Sequence, residues 1–135
     1  MNILLDTHIA IWLLINRSKL DKGFINLIEN LNSKVYVSLI TVWEVAIKNI
    51  KHGYKEMPLD EKHFIKLCEE TEFEFLPIKA SHILNIRNLK LKDANILHKD
   101  PFDKLLISQS LCENLTLYTR DTVLLNYNVA NIKIV

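Results

Sequence analysis

Residues 3–8 read Ile3-Leu4-Leu5-Asp6-Thr7-His8, and this stretch decides the fold. A short continuous apolar run of this kind is typical of a parallel strand that is buried on both faces. The residues after it favour a helix, because Ile9, Trp12 and Leu13 recur on one helical face. The opening of the chain therefore predicts a buried strand that leads directly into a helix.

The same unit of strand and helix recurs along the chain. Further strands are predicted at 35–37, 73–76, 116–119 and 131–135, and further helices at 21–31, 41–50, 60–68, 80–89 and 100–112. Residues 88–99 have no sustained period and predict a mobile polar loop. Because no linker, repeat or low-complexity tract divides the chain, we expect a single domain over residues 1–135. This alternation predicts an α/β sandwich with a mainly parallel sheet.

Composition excludes several classes of protein. The chain has 135 residues, of which 49% are hydrophobic, and a net charge of +1, which does not fit a protein that coats nucleic acid by charge alone. The longest apolar run, Ile9 to Ile15, is far shorter than the roughly 20 residues of a membrane span. Cys68 and Cys112 form no CxxC motif and lie in apolar helical patterns, so we expect two buried free thiols in the cytoplasm.

Four acidic residues occupy the starts of predicted helices or turns: Asp6, Glu44, Asp103 and Asp121. Each has a structural interpretation. Asp6 and Asp121 fit helix N-caps, and Thr41 to Glu44 and Asp100 to Asp103 each fit a capping box, in which the last acid bonds back to the cap amide. Their common placement favours a functional interpretation, because the carboxyl ends of parallel strands meet at one edge of a sheet.

Carboxylates that converge in a partly dry cleft repel one another unless a cation neutralises them. Oxygen ligands select a hard ion, so the sequence predicts Mg²⁺ or Mn²⁺. Such a site suits phosphodiester hydrolysis, because the ion lowers the pKa of a water and stabilises charge on phosphate oxygens.

Four stretches resemble the motifs of PIN-domain endoribonucleases, and most closely the VapC-type toxins of toxin–antitoxin pairs. They are Leu4-Leu5-Asp6-Thr7-His8, Ser38-Leu39-Ile40-Thr41-Val42-Trp43-Glu44, His98-Lys99-Asp100-Pro101-Phe102-Asp103-Lys104-Leu105-Leu106-Ile107 and Leu117-Tyr118-Thr119-Arg120-Asp121. The resemblance spans the chain from the first strand to the end. It implies a three-layer α/β/α PIN-like fold with a mainly parallel sheet of four to five strands. It also implies a metal-dependent nuclease that cuts single-stranded RNA, a cognate antitoxin that covers the site, and a homodimer.

The resemblance also assigns roles to residues. Asp6, Glu44 and Asp103 match the core metal ligands, and Asp121 matches a more variable fourth acid. Asp100 matches an extra acid that either binds the metal or only caps a helix. Thr7 and Thr119 match hydroxyl positions beside the site, where they are candidate substrate contacts.

Other residues near the acids have two interpretations each. Each of the following residues is a candidate RNA contact, with a solvated surface charge as the alternative interpretation: Lys48, Lys51, His52, Lys55, Lys90, Lys92, His98, Lys99 and Lys104. We expect peripheral roles for His8 and His98, and core or interface roles for Trp12 and Trp43. Two other functions stay open from the residues alone: a phosphoacceptor signalling domain and a non-catalytic binding module. The sequence does not identify the RNA target, because that choice depends on pocket shape.

Overall fold

The computed structural model describes residues 1–135 and contains five strands and six α-helices in a largely alternating order. The strands are β1 (Asn2–Leu5), β2 (Lys34–Ser38), β3 (Glu74–Leu76), β4 (Thr116–Thr119) and β5 (Ile132–Ile134). The helices are α1 (Thr7–Ile15), α2 (Lys22–Glu29), α3 (Leu39–His52), α4 (Glu61–Glu70), α5 (Ala80–Asn85) and α6 (Pro101–Cys112). Short 3-10 helices cover Arg17–Lys19, Ile86–Asn88 and Thr122–Asn126.

The strands form one parallel sheet in the order β3-β2-β1-β4-β5. The chain builds outward from β1 in one direction through β2 and β3, and in the other direction through β4 and β5. The switch point between these two directions lies between β1 and β4, where Leu5 is level with Tyr118. In open α/β sheets the crevice at the carboxyl ends of the strands beside a switch point is the usual ligand site.

The core lies on both faces of the sheet, because successive strand side chains point in opposite directions. Ile3 and Leu5 pack with residues of α1, α2 and α4 in one cluster. Leu4 packs with Leu117 and residues of α6 in the other. The arrangement confirms the predicted α/β/α layers and the parallel sheet.

Two expectations differ from the structure. The segment 89–99 lacks regular helix or strand, as predicted, but it is anchored rather than loose: Lys92 N donates to Asn126 O (2.6 Å) and the Asn126 side chain donates to Asp93 O and Ile96 O. Cys68 is buried and free, whereas Cys112 is free but exposed. Cys112 closes α6 and does not face the core, and periodicity at a helix end could not distinguish these cases.

None of the helices combines the length and apolar character that crossing a membrane requires.

The packing of α6 on the sheet predicts a large effect of truncation at Leu106, which is fully buried against the second cluster. We expect Leu106→Ala to lower the free energy of unfolding by about 2–5 kcal/mol, because it leaves a cavity in the core. Leu84→Ala is the matched control, since that side chain is 75% exposed, and should change stability by less than about 0.5 kcal/mol. Urea unfolding measures both, and equal effects would contradict this packing.

Candidate active site

The four acids come together at the carboxyl edge of the sheet. Asp6 follows β1 directly and Asp121 lies two residues after β4. Glu44 lies in the second turn of α3, which starts where β2 ends, and Asp103 lies in the first turn of α6. Asp6, Glu44 and Asp103 are buried, although their charges need solvent or a partner.

Asp6 is held between β1 and β4 by two hydrogen bonds. Its Oδ1 caps α1 by accepting from Thr7 N (2.7 Å), and its Oδ2 accepts from Thr119 Oγ1 (2.5 Å). Burial raises the pKa of Asp6; the bonds from Thr119 and Thr7 oppose this, and the charge of Glu44 adds to it. The capping interpretation is therefore correct for Oδ1, while Oδ2 is held by Thr119 of β4.

Glu44 does not close a capping box. Ser38, not Thr41, caps α3, where its Oγ accepts from Ile40 N (3.1 Å). The Glu44 carboxylate instead accepts from Thr7 Oγ1 at Oε1 (2.6 Å) and pairs with Lys48 Nζ at Oε2 (2.6 Å). Burial disfavours the charged ammonium, but the bond and charge of Glu44 outweigh it and raise the pKa of Lys48.

Asp103 carries the strongest electrostatic signal in the site. Burial, followed by the charges of Asp6, Asp100, Glu44 and Asp121, raises its pKa to about 8. Asp6, Glu44 and Asp121 are the carboxylates that the sequence predicted to converge with Asp103, and Asp100 adds a further charge. Asp103 also does not bond back to a cap amide; its Oδ2 lies 3.1 Å from His98 Nε2.

One group of candidate ligands is tightly clustered. Ligand atoms of His98, Asp103 and Asp121 all lie within 4.8 Å of one another. Asp6 and Glu44 lie outside this tight group but remain close enough for their charges to act on Asp103. Burial first, and then the charges of its neighbours, favour the neutral form of Asp103, and such a cluster fits a divalent cation, which would supply positive charge.

A sequence profile of the PIN domain matches residues 3–129. The chain belongs to the PIN domain family. PIN domains are nucleases, a class of hydrolase, so the acidic edge of the sheet is the candidate active site.

Two solved structures share the PIN fold of this chain. The VapBC2 complex from Rickettsia felis, bound to a DNA fragment from its promoter, has a TM-score of 0.73 and 18% identity, over 99% of this chain and 98% of that chain. VapBC-1 from nontypeable Haemophilus influenzae has a TM-score of 0.59 and 22% identity, over 90% of this chain and 87% of that chain. A comparison with curated proteins finds no match.

His98 has a more central place in this PIN domain than the sequence indicated. Its Nε2 contacts Asp103, and its Nδ1 forms a hydrogen bond of 2.8 Å with the Tyr127 hydroxyl. The anchored segment 89–99 holds it there, through the contacts with Asn126 described above. The missed signal is the long-range pairing of Asn126 with residues 92–96, which no local sequence pattern reveals.

The remaining predicted site residues differ in their placement. Asp100 is exposed and caps α6, accepting from Phe102 N (2.9 Å), and Asp121 caps the last 3-10 helix, accepting from Val123 N (3.0 Å). Thr7 and Thr119 are buried, with hydroxyls already given to carboxylates, so they position the acids. Lys104 lines a small cavity of about 140 Å³ beside His98. Substrate contact by Thr7, Thr119 and Lys104 stays a prediction.

Trp43 is not a core residue. It is 58% exposed and meets Phe102 edge to face, with ring centroids 5.4 Å apart. Each ring is the direct neighbour of a site acid, Glu44 or Asp103. An aromatic pair is therefore attached directly to two residues of the acidic cluster.

The raised pKa of Asp103 predicts a pH dependence of stability in the metal-free protein. The unfolded carboxyl titrates near 3.8 and the folded one near 8, so between these values the folded state holds one more proton and stability falls as pH rises. Asp103→Asn removes this loss. We expect it to stabilise the chelator-treated protein by about 1–3 kcal/mol at pH 8.5 and to have little effect at pH 4. Denaturant unfolding across this range measures the difference; the same offset at both pH values would contradict the assignment.

The bond from Thr7 to Glu44 predicts energetic coupling between α1 and α3. Thr7→Val keeps the side-chain shape and removes the hydroxyl, leaving a buried carboxylate oxygen without its donor, so we expect a loss of about 1–3 kcal/mol. In a Glu44→Leu background the same change should cost much less, because the carboxylate acceptor is gone and only the longer contact with Thr41 Oγ1 (3.5 Å) remains. Denaturant unfolding of the four proteins gives the coupling energy, and an equal cost in both backgrounds would show that the bond contributes nothing.

Proposed function

We propose that this PIN domain is the VapC-type toxin of a toxin–antitoxin pair and cleaves single-stranded RNA with Mg²⁺ or Mn²⁺. The observation that carries the proposal is Asp103, whose carboxyl is driven toward its neutral form by burial and four neighbouring carboxylates. Such a cluster is unfavourable without a counterion and becomes functional with one. Family membership and the fold shared with two VapBC complexes support the same reading.

Asp103 and Asp121 would hold the cation together with Asp6 and Glu44. Asp100 caps α6 through Oδ1, and its second oxygen would be the one available to the cation. When bound, a divalent cation lowers the pKa of a water and stabilises negative charge on phosphate oxygens. His98 adds one nitrogen to a set of carboxylate oxygens, and that mixed set suits Mn²⁺ at least as well as Mg²⁺.

The rest of the site orients these carboxylates. Thr119 and Thr7 fix the oxygens of Asp6 and Glu44, which keeps each carboxylate in one orientation when a ligand arrives. Lys48 neutralises Glu44 in the absence of an ion. His98 lies between Asp103 and Tyr127, and these two contacts orient its ring toward the acids. No protein nucleophile is required, because a water attacks the phosphate.

The partners are proposed on the same basis. Both solved structures are VapBC complexes, which supports a cognate antitoxin for this chain. A homodimer is proposed from the family resemblance; within the apolar run Ile9 to Ile15, Ile15 is the exposed member. Two free cysteines, one exposed, support a reducing cytoplasm. The chain is proposed to function as a single domain.

The phosphoacceptor alternative is less well supported by the geometry. Asp6 lies at the end of the central strand, where such a domain would place its acceptor, but it is buried and both oxygens already accept hydrogen bonds. A non-catalytic binding module would not account for the burial of Asp103 among four other carboxylates, which raises its pKa. The nuclease proposal accounts for both observations.

The proposal predicts metal-dependent cleavage of unstructured RNA by the full chain. Asp6→Asn keeps the shape of the side chain and one acceptor oxygen but removes its charge, and we expect the rate to fall about 100-fold or more, as for other groups that act in the transition state. Asp60→Asn is the matched control, because Asp60 caps α4 outside the cluster, and it should cleave at the parent rate. The assay compares Mg²⁺, Mn²⁺ and chelator. Cleavage that survives chelation, or an Asp6→Asn protein as fast as the parent, would overturn the proposal.

A further inference from the structure

A second aromatic group lies next to the acids along the chain and, unlike the pair formed by Trp43 and Phe102, includes cations. It combines two rings with two cations: His8, Trp12, Lys19 and Arg120. We call these four residues the cationic platform. Apart from Trp12, which is half-buried, all are exposed.

The platform is built by stacking. The His8 and Trp12 rings lie 6.0 Å apart at 22°, one helical turn apart on α1. The Arg120 guanidinium lies 4.9 Å from the Trp12 ring centroid, and Lys19 Nζ lies 5.3 Å from it. Arg120 is fixed further because it donates to Lys19 O (2.9 Å). Cations in this position are attracted to the face of an indole ring, so the charges of Lys19 and Arg120 are held over Trp12.

Neither cation of the platform is neutralised by a carboxylate. The salt bridges of the chain involve Arg17, Lys34, Lys48, Lys79 and three histidines, and neither Lys19 nor Arg120 is among them. A structural role for covering Trp12 would need only the aliphatic stems of these side chains. It would explain neither the two unpaired charges nor the exposed ring of His8.

The platform adjoins the active site along the chain. His8 follows Thr7, which holds Glu44, and lies two residues after Asp6. Arg120 lies between Thr119, which holds Asp6, and Asp121. The platform is therefore attached to the two chain segments that carry Asp6 and Asp121.

We propose that the cationic platform is the subsite for the nucleotides next to the scissile phosphate of a single-stranded RNA. Arg120 and Lys19 bind backbone phosphates, and the exposed face of His8 stacks on a base. Combining aromatic faces with cations that follow the backbone is how proteins bind single strands without reading their sequence. This inference rests on the proposed function, because it assigns part of the substrate to a residue group that the motif resemblance leaves without a role.

The first test measures binding without catalysis. The probe is a fluorescein-labelled oligouridylate of roughly twelve nucleotides, within the length that single-strand sites cover. It is titrated with the full chain in chelator, and anisotropy gives Kd. We expect Arg120→Ala to raise Kd about tenfold and to reduce the slope of log K against log salt by about 0.7 for each lost phosphate contact. Arg120→Lys should fall between the two, because it keeps the charge and loses the planar stack.

The matched control is Lys66→Ala, which removes the same charge from an exposed position on α4. The C-terminal end of this helix leads into the start of β3, at the opposite edge of the sheet. Lys66→Ala should leave Kd and the slope of log K against log salt at the values of the parent protein. Thermal unfolding of each variant checks that the fold is retained. Equal effects of Arg120→Ala and Lys66→Ala would show general electrostatics only and would overturn the subsite.

The second test separates this inference from the proposed function. In the metal-dependent cleavage assay, Arg120→Ala should raise KM about tenfold and leave kcat within about twofold, since it removes binding common to ground and transition states. If the parent protein cleaves RNA and Arg120→Ala leaves KM unchanged, the subsite is overturned and the nuclease proposal stands. A parent that binds the oligonucleotide through Arg120 but never cleaves would overturn the nuclease and leave the subsite intact.

Discussion

The parallel pairing of β1 with β4 is the constraint on which the site depends. These strands are separated by more than a hundred residues, and their register places the residue after Leu5 beside Thr119. The backbone of Asp6 donates to Tyr118 O, and the carboxylate of Asp6 accepts from Thr119 Oγ1. One register therefore fixes both the backbone and the side chain of the central acid. A shift of one residue would turn Thr119 to the other face of the sheet and leave the acid without its partner.

The acidic edge shows how an unfavourable arrangement is retained in a stable fold. Hydrophobic layers on both faces of the sheet hold the strand ends in place, so carboxylates that repel one another cannot move apart. Each is partly compensated: Asp6 by hydroxyl and amide donors, Glu44 by Thr7 and Lys48, and Asp103 by His98. The compensation is least complete at Asp103, where burial and neighbouring charge dominate. That residue is where an added positive charge would stabilise the folded chain most.

The sequence was sufficient for features that depend on local chemistry. Buried strands such as 3–5 and the start of α6 at Asp100-Pro101 follow from apolar runs, capping and proline geometry. It was insufficient where helices and loops meet. The bond from Thr7 to Glu44 depends on how closely α1 approaches α3, and His98 depends on the attachment of a loop to a residue about thirty positions away. Trp43 shows the same limit, because an apolar residue on a mostly apolar helix gives no indication of which face meets solvent.

The attachment of segment 89–99 to Asn126 links two members of the tight ligand group mechanically. His98 is carried by that segment, and Asp121 caps the 3-10 helix in which Asn126 lies. The antiparallel bridge between Leu91 and Tyr127, and the bond from Asn128 N to Lys90 O, fasten the same two pieces. We therefore expect the two segments to move together rather than separately. A displacement of these two segments from the sheet would therefore remove both His98 and Asp121 from the site.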